Sequence, residues 1–249
     1  MYSMAIGKVA AVQLIGKSHV RSGQPCQDFA SGRRRGNVAA IALADGAGSR
    51  SHSEAGARTS VQAALRHLLG GFEELYALIQ TDLHLAKGAI LQRVRKALDA
   101  DASKLGQPVD ELASTLLFAG ICKNRFVAGH IGDGAIVFEN SDRELSILSH
   151  PANGEYANTT FFTTDRNAGD QLRLYSGTMN GGGFALMSDG AAEALYHRET
   201  GAPAPAIGQI MSWHRHLPRA KMEKVLTSNL DGPMRKSADD LSLALLSIE

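Results

Sequence analysis

"NVAAIALADGAGSRSHSE" occupies residues 37–54. It begins as an unbroken apolar run, Val38 to Ala44, and stops at Asp45-Gly46. A short apolar run without polar alternation reads as a strand covered on both faces. Asp-Gly after it is turn chemistry, because Asp bonds its own backbone and Gly supplies positive φ. A carboxylate at the mouth of a buried strand is nevertheless costly unless something holds its charge. Two readings stay open on this stretch alone: a plain turn, or Asp45 as part of a site. The same punctuation recurs in "AGHIGDGAIVF" (128–138), with Asp133-Gly134, and in "FALMSDGAAEAL" (184–195), with Asp189-Gly190.

Outward from this stretch, further strands are expected over 8–16, over 114–140 and at 238–248. The second region holds two or three strands, divided by Lys123-Asn124-Arg125 and by Gly132-Asp133-Gly134. A helix is expected over 53–69, where Ala57, Val61, Ala64, Leu65 and Leu68 keep a helical period. Gly70-Gly71 is expected to break it. A second helical pattern covers about 73–105, a third helix follows Asp189-Gly190, and a fourth spans about 218–229. Residues 151–183 read as an irregular excursion followed by a polar hairpin. No repeat or linker divides the chain, so one domain over 1–249 is expected. Strands, two helices, strands, helices and a last strand favour an α+β fold over a doubly wound one.

The chain of 249 residues is long enough to bury a sizeable core. Apolar residues make up 44% and charged residues 20%, the composition of a globular chain. A formal net charge of +1 gives no global field for nucleic acid or an anionic membrane, and neither is expected as a partner. Cys26 and Cys122 form no metal or disulfide motif and read as reduced thiols, which suits a cytoplasmic location. The first residues lack a secretory pattern, and no run approaches the roughly 18 apolar residues of a membrane span.

Five short acidic motifs stand out: "PCQDFA" (Asp28), "LADGAG" (Asp45), "HIGDGA" (Asp133), "LMSDGA" (Asp189) and "SADDLS" (Asp239, Asp240). Each alone has a bland account, as a turn, a helix cap or a solvated strand entrance. Four of them lie at strand edges, and converging carboxylates would repel one another and raise their own pKa values. A divalent cation with a taste for oxygen ligands, Mg²⁺ or Mn²⁺, removes that repulsion. Glycine after three of these aspartates lets backbone approach such an ion.

In order and wording these motifs resemble the metal-dependent serine/threonine protein phosphatases of type 2C, in particular their compact bacterial branch. "LADGAGSRSHSE" is similar to the family's Asp-Gly-x-Gly segment, "HIGDGAIVF" to its Gly-Asp-Ser-Arg strand, "LMSDGAAEAL" to its Ser-Asp-Gly motif and "ADDLSLALL" to its closing Asp-Asn-x-Thr strand. The resemblance implies a four-layer αββα sandwich, two antiparallel sheets flanked by helix pairs. It also implies two Mn²⁺ or Mg²⁺ ions, with positions for a third. Carried over residue by residue, Asp45 bridges the ions and the Gly46 carbonyl completes one shell. Asp189 and Asp239 ligate on the other side, Asp28 acts mainly through water, and Asp133 with Asp189 matches the third position.

The chain departs from the family at several points. Asp240 stands where the family has Asn, Gln27 where it has Glu, and Gly134-Ala135 where it has Ser-Arg. Its phosphate-binding Arg falls at Gly23, so Arg21 and His19 are the nearby candidates for that role. His19 is also a candidate acid for the leaving alkoxide. Residues 154–165 lie where the family carries a flap. Cys26, beside Asp28, reads as a small buried residue, because no phosphate-cradling loop surrounds it.

The expected activity is hydrolysis of phosphoserine and phosphothreonine in proteins by a metal-activated water. The expected partners are a phosphorylated protein substrate and a cognate serine/threonine kinase. Two other readings share these residues: a non-catalytic regulatory module that binds a phosphoprotein or kinase, and a metal phosphoesterase for small molecules.

Overall fold

The computed structural model describes residues 7–152, 160–232 and 235–248. In chain order the first elements are β1 (Lys8–Leu14), α1 (Lys17–Ser22), β2 (Phe29–Arg35), β3 (Val38–Ala44), α2 (Ser53–Thr81) and α3 (Leu83–Leu105). After a 3₁₀ turn at Val109–Leu112 come β4 (Leu116–Cys122), β5 (Arg125–Ile131), β6 (Ala135–Glu139) and β7 (Leu145–Ser149). The rest are α4 (Ala168–Gln171), β8 (Arg173–Thr178), β9 (Gly182–Met187), α5 (Asp189–Leu195), β10 (Tyr196–His197), β11 (Ala202–Pro203), α6 (Pro205–His216), α7 (Arg219–Leu230) and β12 (Leu241–Ile248).

Two five-stranded sheets form, in the orders β1-β12-β9-β6-β7 and β2-β3-β4-β5-β8, and their pairings are antiparallel. The sheets stack on one another, α2 and α3 cover one outer face, and α5, α6 and α7 cover the other. This is the α+β, four-layer sandwich.

The opening stretch shows why. Side chains of a strand alternate between its two faces. Ala40, Ala42 and Ala44 of β3 pack under α2 and α3, while Ala39, Ile41 and Leu43 fill the layer between the sheets. In β12, Leu241, Leu243 and Leu245 face the other helices, and Ala244, Leu246 and Ile248 face the partner sheet. Apolar residues are therefore needed on both faces, which is why these strands read as continuous. Phe118 and Phe184 are each fully buried, in two different layers. Side chains of that size contribute about 1.5–3 kcal/mol apiece.

Two expectations need correction. The second helical pattern, expected over about 73–105, is not continuous. The helix that starts at Ser53 is interrupted at Gly71 (φ −142°), where Gly70-Gly71 is expected to break it, and helix resumes beyond that kink to Thr81. Leu68, Phe72 and Leu75 on either side of the kink pack into one core. The second pattern divides at Asp82, whose side chain accepts the Leu85 N–H at 2.9 Å and starts α3. The polar hairpin expected within 151–183 does not form either. β8 pairs with β5, whereas β9 pairs with β12 and β6, so the two strands lie in different sheets. Gly181 and Gly182, with φ of 140° and 89°, take the chain across. Residues 154–159 of the expected flap lie outside the described residues. Among the described residues, no helix is long and apolar enough to cross a membrane.

Candidate metal centre

The topology brings one end of both sheets together. At that end β3 runs out into Asp45, β5 into Asp133 and β9 into Asp189, while Asp28 precedes β2 and Asp239-Asp240 precede β12. Antiparallel order puts these strand exits and entrances on the same edge.

Asp28 is 3% exposed, and neither of its carboxylate oxygens has a hydrogen-bond partner among the described residues. Burial first, then the charges of Asp240 and Asp189, push its pKa up to about 7. The Ser242 and Ser188 hydroxyls face it and offset part of that rise, but neither closes a hydrogen bond to it. Asp45 is pushed well above the carboxylate range by burial and by the charges of Asp28, Asp189 and Asp133. Asp189 is also raised, by burial and by Asp133 and Asp239. These carboxylates sense one another, as like charges in a poorly solvated site must. No three of them already close into a ligand cage among the described residues.

The backbone at Asp45 is pinned. Its N–H donates to Thr115 Oγ1 at 2.9 Å, and its carbonyl accepts the Thr115 N–H at 2.8 Å. Next to it, the Gly46 N–H donates to the Gln27 carbonyl at 3.1 Å. A side chain on Gly46 would come within 2.8 Å of the Ser53 carbonyl and 2.9 Å of the Gln27 oxygen, so only glycine fits. Asp133 accepts a hydrogen bond from Thr160 Oγ1. Asp189 is the first residue of α5, and its Oδ1 accepts the Gly190 N–H.

Asp239 and Asp240 part company. Asp240 is 3% exposed, and protein groups engage both of its oxygens. Oδ1 accepts the Gly16 N–H, while Oδ2 accepts the Gln27 N–H at 2.6 Å and meets His19 Nδ1 at 3.0 Å. This carboxylate ties the β1–α1 turn and the residue before Asp28 to the start of β12. An Asn would bring an NH₂ group against one of those donors. Asp239 is exposed, and its charge reaches Asp189.

His19 therefore reaches the edge of the acidic end through Asp240, while Arg21 does not join the carboxylates. Arg21 lines a surface groove with Lys17, Asp231 and Arg235. Residues two apart on a helix point in different directions, which separates the two candidates. Arg50 pairs loosely with Glu111 at 3.4 Å, and His52 precedes the first turn of α2. Cys26 is no nucleophile. Burial, with Asp240 and Asp28 beside it, pushes its thiol up to about 12. Sequence reasoning missed Thr115, Ser188, Ser242 and Thr160, which hold or face the aspartates. Ser188 and Ser242 sit inside two of the acidic motifs and Thr160 in the expected flap, without being singled out, while Thr115 comes from a separate segment with no local motif.

Comparison with known proteins shows the family and the fold. Residues 15–231 match the model of the protein phosphatase 2C family, and the chain belongs to that family. Among curated proteins it is 29% identical to serine/threonine-protein phosphatase 3 of Escherichia coli K12 over 185 residues, 71% of this chain and 70% of that one. Solved structures share the fold. PppA, a regulatory component of T6SS in Pseudomonas aeruginosa, superposes with a TM-score of 0.65 at 16% identity, covering 99% of each chain. The S. agalactiae serine/threonine phosphatase gives 0.66 at 15% identity, covering 98% of this chain and 100% of that one. The catalytic domain of PstP, solved with two manganese ions, gives 0.63 at 20% identity, covering 98% and 99%.

Proposed function

We propose that this chain is a metal-dependent phosphatase acting on phosphoserine and phosphothreonine in proteins. The observation that carries the reading is Asp28: two buried carboxylate oxygens without a protein partner, beside Asp45 and Asp189, whose acidity is also weakened. Buried carboxylates left without cations fit hard divalent ions that take oxygen ligands. Asp45, the Gly46 carbonyl, Asp189 and Asp239 would hold two Mn²⁺ or Mg²⁺ ions, with Asp28 contributing through water. Asp133 with Asp189 offers a third position. Asp240 is left out of the ligand set, because its oxygens are already engaged. Bound divalent ions supply an activated water at neutral pH and offset the charge on the phosphoryl oxygens.

The chain's own residues do the rest. Thr115 and Gln27 fix the backbone around Asp45 and Gly46. Asp240 orients His19, which could give a proton to the departing serine or threonine oxygen. β1 pairs with β12 across the whole sequence, which supports one domain over 1–249. The expected partners are a phosphoprotein substrate and the kinase that phosphorylates it, in the cytoplasm.

The test uses purified protein, Mn²⁺ and a phosphothreonine peptide. Hydrolysis is expected to require the metal and to fall about 10³-fold or more in Asp45→Asn, roughly 4 kcal/mol of barrier. Hydrolysis that persists in EDTA and in Asp45→Asn would overturn the reading. Metal binding without hydrolysis of any phosphopeptide would favour the regulatory module instead.

A further inference from the structure

The opposite end of the sandwich carries the opposite charge. A cavity of about 550 Å³ opens there between the start of β1, the end of β2 and the α6–α7 junction. Lys8, Arg34, His214, His216 and Arg219 line it, and no Asp or Glu does among the described residues. The chain's net charge of +1 hides this concentration.

Strand alternation explains how it arises. "RRR" ends β2 at residues 33–35. Arg34 pairs with Ala39, which faces the layer between the sheets, so Arg34 leaves the strand on that face, over β1. Arg33 and Arg35 leave on the other face. Arg34 forms no ion pair or hydrogen bond among the described residues. Arg219 meets Glu223, four residues on, in an exposed pair of little worth, and its Nη1 donates a long hydrogen bond to the Gly32 carbonyl at 3.4 Å.

His214 adds a second observation. It is 2% exposed, and its Nε2 sits 3.3 Å from the Lys8 carbonyl oxygen. That oxygen can only accept, so Nε2 carries the hydrogen and Nδ1 is a bare acceptor. Nδ1 has no partner among the described residues. A buried acceptor of this kind calls for an N–H donor.

We infer that this groove docks a carboxylate-rich segment of a partner protein. Aspartate and glutamate side chains answer Arg34 and Arg219. Apolar walls suit a protein segment better than a phosphodiester backbone, which is charged at every unit. Leu217 and Pro218 give the groove apolar walls for side chains between the acids. The groove's size is that of an ordinary concave binding site. It is remote from the carboxylates: Lys8 and Leu14 stand at opposite ends of β1, six residues or roughly 20 Å apart at strand rise, and Gly16, which binds Asp240, follows the far end. Binding here does not depend on whether the acidic end hydrolyses anything.

Fluorescence anisotropy of the full chain with a labelled Glu-Leu-Glu-Asp-Leu-Glu-Glu peptide tests this. Binding is expected, with a Gln-for-Glu version at least about tenfold weaker, and salt should weaken it because the cations are solvent-accessible. The double variant Arg34→Glu/Arg219→Glu should lose the binding by about tenfold or more, since each reversal sets like charge against the peptide. Arg33→Glu, one residue away but on the other face, should retain it. Unchanged thermal melting and unchanged para-nitrophenyl phosphate hydrolysis will show that the double variant is folded. No binding to the parent, equal loss in Arg33→Glu, or tighter binding of a DNA oligonucleotide of similar charge would each overturn the inference.

Discussion

Asp28 and Glu139 are both buried carboxylates, 3% and 2% exposed, and the molecule treats them in opposite ways. Glu139 ends β6 at the basic end of the sandwich. Arg215 Nη1 reaches its two oxygens at 2.8 and 2.6 Å, and Arg143 approaches at 3.4 Å. Asp28 lies at the other end, with no cation and no hydrogen bond on its carboxylate among the described residues, and burial pushes its pKa up to about 7. A buried charge with its counter-charge built in belongs to the scaffold. A cluster of buried carboxylates without one raises its own pKa values instead. β6 itself links the two regimes, with Asp133 two residues before its start and Glu139 at its end.

That contrast can be broken by exchanging the two situations. Arg215→Ala strips Glu139 of its main partner, and we expect a loss of about 3–5 kcal/mol, read as a lower denaturant midpoint. Adding Glu139→Leu should recover most of it. A loss below about 1 kcal/mol would mean that Glu139 is hydrated rather than paired.

Asp28→Asn is the converse experiment, in metal-free protein. The unfolded Asp28 carboxyl titrates near 3.8 and the folded one near 7. Between those values the folded state keeps a proton that the unfolded state has lost, so stability falls as pH rises and levels off above about 7. Asn does not pay this cost. At about pH 8 the variant should be more stable by about 2–3 kcal/mol, and the gap should close as pH falls towards about 4. Thermal melts across pH check it, and a gap independent of pH would assign the strain elsewhere. The opposite sign holds at the basic end. Burial, with Lys8 and Arg215 nearby, lowers His214 from 6.5 to about 4, so its contribution is lost as pH falls through that window.

The smallest effect sharpens the role of Asp240. A Cβ at Gly16 would lie 2.5 Å from the Asp239 carbonyl carbon and 2.7 Å from the Asp240 nitrogen. Gly16→Ala should cost about 1–3 kcal/mol, by displacing the turn that Asp240 holds. Mn²⁺ affinity, measured by calorimetry, should fall with it. Unchanged affinity would detach the turn from the metal centre.

How much of this could be read in advance depends on where the information sits. β3, β4 and β12 were legible because they are buried on both faces and so carry unbroken apolar runs. β2, "FASGRRR", was not, because it exists as a strand through its pairing with β3 and not through its own composition. The glycines at 70 and 71 were legible as an interruption, and Gly71 kinks the helix there; the division at Asp82 was not, because the apolar pattern runs on across it. Asp45, Asp133 and Asp189 announced themselves by standing at the ends of apolar runs. The separation of Asp239 from Asp240 did not, because adjacent residues give the same local signal whichever one turns inward.

Residue order alone showed strands apolar on both faces, which must be covered twice, and acidic residues at their ends; the four-layer stacking was implied only by the family resemblance. The tertiary structure alone decided which charges find partners. Compensation acts over a few ångströms in space, between residues such as Gly16 and Asp240, or Glu139 and Arg215, that the sequence holds far apart.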